Sequence, residues 1–202
     1  MSPESMTPET KPAEKDSTKR SSAPVNVVVC WHMHQPQYQD QFTRQFHLPW
    51  TYLHAIKDYV DMAAVVEELP QCRVVVNFTP VLLDQLDDYI QQFERYFKLG
   101  EPFSDSLLRS LSAPAIGPTD SLRFAIVKQC VRANENRLIK RFEPYHDLVQ
   151  LARQALAKPA YLSYLDEQFF FDLLVWYHLV WMGETVREKN ETVLRLMRKS
   201  RG

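Results

Sequence analysis

The sequence predicts an α/β protein in which one βαβ unit is followed by roughly a hundred residues of helix. Three observations predict it. Two short runs of apolar and β-branched residues, Val25 to Trp31 and Arg73 to Thr79, read as strands and are followed by Pro36 and Pro80. Between them Tyr52, Leu53, Ile56, Tyr59, Val60, Ala63 and Val66 recur at helical spacing. After Pro80 the apolar stripes keep the helical period and the strand pattern stops.

Residues 1–24 are rich in Ser, Thr, Pro, Glu and Lys, too polar to offset the entropy of ordering, and predict a disordered tail before a domain spanning 25–202. Val25 to Trp31 has the near-continuous apolar character of a parallel strand covered on both faces. At period two, Val28, Cys30, His32 and His34 share one face, and Val27, Val29, Trp31 and Met33 share the other. Pro36 stops the strand, and Gln37 to His47 reads as a polar loop able to overhang a site. A helix is expected from Pro49 to about Pro70, and the second strand follows with Asn77 and Thr79 level with the histidines of the first. The connecting helix makes the strands parallel. Helices are then expected over Val81 to Leu99, Ser104 to Leu111, Leu122 to Phe142, Pro144 to Ala157, Asp166 to Trp181 and Glu184 to Arg198. Gly117-Pro118-Thr119-Asp120 opens the third of these as a loop and N-cap.

The length of 202 residues allows one sizeable core. Lys+Arg 24 against Asp+Glu 25 leave a net charge of -1, so neither nucleic acid nor an anionic membrane is an expected partner. Cys30, Cys72 and Cys130 are far apart and form no CxxC pair, which argues against a structural zinc site, and Cys30 and Cys72 sit in or beside apolar runs, as expected of small core residues in a reducing compartment. With glycine only at 100, 117, 183 and 202, no Gly-rich phosphate loop is possible, and no cofactor is expected. The chain shows neither an apolar leader segment nor a membrane-length apolar run, which predicts a cytoplasmic location. Asn77-Phe78-Thr79 and Asn190-Glu191-Thr192 match the glycosylation pattern by chance on this reading.

Chemistry concentrates in His32-Met33-His34-Gln35-Pro36. Two imidazoles on one strand face, at the C-terminal end of a parallel strand, can converge on one ligand, and the following amide is suited to hydroxyl groups. The bland alternative is a pair of hydrogen-bonded structural histidines. A metal-dependent, amidohydrolase-like barrel could also use His32 and His34, but it needs ligands from later strands. Asp87/Asp88 and Asp166/Glu167 are adjacent in sequence and point apart on a helix, as solvated or capping groups do. His54 and Asp58 fall on one helix face as a surface or half-buried pair, and the Phe169 to Trp181 aromatics read as core.

At WHMHQPQYQD (31–40), LPWTYLHAIKDYVDMA (48–63), RVVVNFTPVLLDQL (73–86) and WYHLVWMGE (176–184) the chain resembles the N-terminal part of glycoside hydrolase family 57. That family comprises α-glucan enzymes, including α-amylases, amylopullulanases, 4-α-glucanotransferases and branching enzymes. The resemblance implies an incomplete (β/α)7 barrel whose first βαβ unit is followed by a long helical insertion, here truncated before the barrel closes. It also implies retaining cleavage or transfer of α-glucosidic bonds by two carboxylates through an oxocarbenium-like transition state. HxHQP is the family's first signature region, so His32, His34 and Gln35 would line the subsite of the sugar being cleaved. No counterpart of the nucleophilic glutamate or the acid/base aspartate is found, so no catalytic residue is assigned and the isolated chain is expected to be inactive. The expected partners are an α-glucan or maltooligosaccharide and the C-terminal part of the same enzyme. The alternative is a non-catalytic remnant or sugar-binding subunit.

Overall fold

The computed structural model describes residues 25–113 and 120–199. The expected tail at 1–24 and most of the Gly117 to Asp120 loop lie outside the described residues. Two strands, β1 (Val29–Met33) and β2 (Val74–Phe78), pair in parallel with Val29 opposite Val74 and His32 opposite Asn77.

The segment joining them is helical from Trp50 to Glu68, as α1 (Trp50–His54), a π turn (Ala55–Tyr59) and α2 (Val60–Glu68). Helix α3 (Pro80–Leu99) starts directly after β2, with Pro80 at a position where its missing N–H costs nothing. It ends at Gly100, whose φ of 72° is the left-handed conformation that a glycine cap adopts freely. Then follow α4 (Ser106–Ser112), α5 (Asp120–Cys130), a second π turn (Glu135–Ile139), α6 (Glu143–Ala157), a 3-10 turn (Pro159–Tyr164), α7 (Glu167–Trp181), α8 (Glu184–Lys189) and α9 (Glu191–Arg198).

Helix α7 forms the centre of the core. It is apolar nearly all round and packs against α5 and α6, with Phe170, Leu173, Leu174 and Tyr177 fully enclosed. The aromatic run is therefore core, as its sequence suggests.

Several expectations need correction. The first strand begins at Val29 rather than Val25 and runs on to Met33. It is not covered on both faces. Met33 is buried and Trp31 half-buried, but Val75 is 54% and Phe78 42% exposed, and Val27 and Val28 before the strand lie open. A run of valines specifies a strand and not what covers it. The expected helix from Leu122 to Phe142 breaks after Cys130, where Asn134 accepts the N–H groups of Asn136 and Arg137 and starts a new turn. The expected helix from Glu184 to Arg198 divides at Asn190, which ends α8 and caps α9 through Thr192 and Val193.

Candidate functional site

The two histidines lie where their spacing predicts. His32, in β1, and His34, just beyond its end, project on the same exposed side with ring centroids 6.0 Å apart and planes at 57°. The register places Asn77 beside His32, and Nδ1 of His32 donates to Oδ1 of Asn77 at 3.0 Å. An amide oxygen only accepts, so in this contact Nδ1 carries the proton. Gln35 is half-buried and its Nε2 donates to the Tyr59 hydroxyl at 3.4 Å. Asn77 and Tyr59 thus complete a polar cluster of imidazole, amide and phenol. Thr79 joins the strand end through its N–H on the Met33 carbonyl at 3.1 Å, while its own Oγ1 is buried without a partner.

The chain that leaves this cluster is held by Gln85, a residue that the sequence pattern alone does not single out. It lies on the buried stripe of α3 with Leu82, Tyr89 and Gln92, at helical spacing, and is 1% exposed. Its Nε2 donates to the carbonyl of Pro36 at 3.0 Å and of Val81 at 3.1 Å. Its Oε1 accepts the N–H of Tyr38 at 2.9 Å and the Thr51 hydroxyl at 3.4 Å. One amide therefore fixes the chain on leaving HxHQP and ties it to α1. A glutamine inside an apolar stripe was the signal available, because a buried amide needs partners and those partners organise a loop.

Further along α3, Asp88 accepts from Gln39 at 2.8 Å, from Arg44 at 2.8 Å and from Gln92 at 2.6 Å. It anchors the 37–47 loop instead of being merely solvated. Within that loop Asp40 accepts the N–H groups of Phe42 and Thr43, and the bonds from Thr43 and Phe42 lower its pKa below the ordinary aspartate value. Burial first, and the nearby Tyr59 second, raise the Tyr38 phenol above its usual range, so it remains a hydroxyl donor at neutral pH.

His54 and Asp58 form the expected half-buried pair at 2.5 Å, with Lys57 also on Asp58. Asp166 caps α7 by accepting the Phe169 N–H at 2.9 Å. Asn190 and Asn77, the two candidate glycosylation asparagines, have their amides engaged in a helix cap and in the His32 contact. Among the described residues no group of three or more His, Cys, Asp and Glu side chains could hold a metal ion, and no helix is long and apolar enough to cross a membrane. The metal-dependent reading of His32 and His34 thus finds no further ligands among the described residues.

The groups at the site are hydrogen-bonding imidazole, amide and phenol side chains, suited to a ligand rich in hydroxyls. No curated protein and no solved structure matches the chain. The profile of glycosyl hydrolase family 57 does, over residues 28–201, which take in both strands, the histidine pair and the helical region. The chain belongs to glycosyl hydrolase family 57.

Proposed function

We propose that this chain is the sugar-positioning part of a retaining α-glucan hydrolase or transferase, with His32, His34 and Gln35 lining the subsite that holds the ring to be cleaved. The observation that carries the reading is the placement of His32 and His34 side by side at the C-terminal end of β1, with Asn77 of the paired strand hydrogen-bonded to His32. Family membership implies the α-glucan substrate.

The residues that meet His32 and Gln35 are the Asn77 amide and the Tyr59 phenol, and neither is a carboxylate. Retaining cleavage requires two carboxyl groups about 5–5.5 Å apart across the bond. We assign that pair to further strands laid against the open edges of β1 and β2. The exposed apolar side chains Val75, Val76 and Phe78 support this placement, since such a surface belongs inside a larger sheet-and-helix core.

The test is a pair of measurements on the purified chain. No turnover of amylose or pullulan is expected. Titration with a maltooligosaccharide is expected to show weak binding that falls about tenfold in His34→Ala and in His32→Ala. Turnover by the chain alone would refute the missing carboxylates, and binding indifferent to both substitutions would refute the subsite.

A further inference from the structure

The helix that joins the two strands changes its winding where it meets the candidate site. Its π turn, Ala55–Tyr59, ends on the tyrosine whose hydroxyl accepts from Gln35 Nε2 at 3.4 Å. In a regular α-helix the Ile56 carbonyl would accept from the Val60 N–H. Here the Val60 N–H turns to the Lys57 carbonyl, and Ile56 accepts the N–H of Gly183 at 2.8 Å. Single π turns set inside α-helices are frequent at functional sites.

The junction of α7 and α8 grips this turn from both ends. Gly183 holds Ile56, and the next two N–H groups, of Glu184 and Thr185, donate to the Asp61 carboxylate at 2.8 and 3.0 Å. Successive backbone donors therefore fix the segment from Ile56 to Asp61, and Tyr59 lies inside it. Asp58, between His54 and Lys57, ties the same turn back to α1. The position of the Tyr59 hydroxyl is thus set by contacts made far along the chain.

We propose that Tyr59 is a positioning residue of the sugar subsite: it holds the Gln35 side chain ready for a glucosyl hydroxyl, and the α7–α8 junction sets where Tyr59 stands. The inference rests on the reading of His32, His34 and Gln35 given above. A long glutamine side chain without an anchor loses its rotamer freedom when it binds a ligand. One already held by a hydroxyl has lost that freedom beforehand, so the ligand binds more tightly. The helical region would then govern the sugar site from behind, through Gly183 and Asp61.

The experiment is a nuclear magnetic resonance titration of the full chain with maltotriose, in Tyr59→Phe, Gln35→Ala and the double variant. Tyr59→Phe keeps the ring, and is expected to leave the thermal midpoint nearly unchanged while weakening maltotriose about fivefold. Gln35→Ala is expected to weaken it about tenfold, and Tyr59→Phe to cost nothing further in that background. His32→Ala removes a group whose partner is Asn77, so its loss is expected to add in full to that of Tyr59→Phe. Before any sugar is added, Tyr59→Phe is expected to move the side-chain amide signals of Gln35. Asp61→Asn sets an amide group against one of its two N–H donors, and is expected to move the same signals without touching Gln35. Unchanged affinity in Tyr59→Phe, a full loss from it in the Gln35→Ala background, or Gln35 signals that stay in place in either variant would overturn the positioning role and leave the subsite standing. Binding indifferent to His32→Ala, His34→Ala and Gln35→Ala alike would overturn the subsite, and this inference with it.

Discussion

The hydroxyl of Tyr52 donates to Nε2 of His178 at 2.9 Å across the buried interface of α1 and α7, while Nδ1 of the same ring donates to the Leu174 carbonyl at 2.7 Å. Both ring nitrogens are thus committed, and the imidazole is held neutral in one tautomer. The two rings lie nearly parallel, 13° apart, so the hydrogen bond and the packing share one geometry.

This pair makes the chain acid-sensitive. Burial lowers the His178 imidazole to about 4 from 6.5, against the opposing pull of the Leu174 carbonyl. The unfolded chain takes up this proton below pH 6.5, and the folded chain does so only near 4. The associated stability is therefore complete above the upper value and is lost as pH falls through this interval, by about 3 kcal/mol. Urea unfolding at pH 7.5 and 4.5 measures it, and His178→Gln should remove that dependence. Tyr52→Phe should cost about 1–3 kcal/mol at neutral pH, because Nε2 is left buried without a donor.

Replacing Gln85 with Leu should loosen the site as well as the core. The Tyr38 N–H and the Pro36 carbonyl, both only part-buried, would each lose a partner, at about 0.5–1.5 kcal/mol per bond. Gln85→Glu should be no rescue. It keeps an acceptor for Tyr38 but sets an oxygen against the carbonyls of Pro36 and Val81. Denaturant midpoints give the stability change. Nuclear magnetic resonance of the His32 and His34 rings should report whether the loop has moved, and unshifted ring signals would refute the anchoring role.

Gly183→Ala should destabilise the chain by about 1–3 kcal/mol through crowding. The φ of −60° at this position suits any residue, so backbone conformation is not the cause. A Cβ would sit 2.5 Å from Asp61 Oδ1 and 2.9 Å from the Lys57 carbonyl. Asp61 cannot easily retreat, because its carboxylate accepts the N–H groups of Glu184 and Thr185 at 2.8 and 3.0 Å. Thermal melts of both single variants and of the double variant with Asp61→Ala should show losses that are less than additive.

Asn77→Ala should leave the fold nearly unchanged and weaken maltooligosaccharide binding by about 1 kcal/mol, since the exposed His32 ring loses the bond that sets its orientation and tautomer. Asn77→Asp, which retains an acceptor for Nδ1, should recover most of the loss. Identical affinities in all three proteins would show that His32 does not need its neighbour.

The parts legible in the sequence are those governed by local periodicity. Alternation put His32 and His34 on one side of β1, and helical spacing found α3, α6 and α7 to within a few residues. The division at Asn190 and the restart at Asn134 depend on single side-chain caps inside stripes that continue past them, so a pattern of apolar positions runs straight through. Gln85 escaped notice because its four partners lie in three separate segments, a relationship with no period. The exposure of Val75 and Phe78 was illegible for a different reason. Burial of a strand depends on what packs over it, and the strand's own residues do not encode that.

That exposure has a consequence in time. Amides in α5, α6 and α7 are shielded by a packed core and should exchange with solvent only on global unfolding. Among the described residues β1 and β2 form a sheet of two strands, each paired along one edge with the other. Their amides should exchange first, and the histidines they carry should sample other positions whenever the pair opens. Any surface that comes to lie against the pair would slow that opening and make the candidate site more rigid.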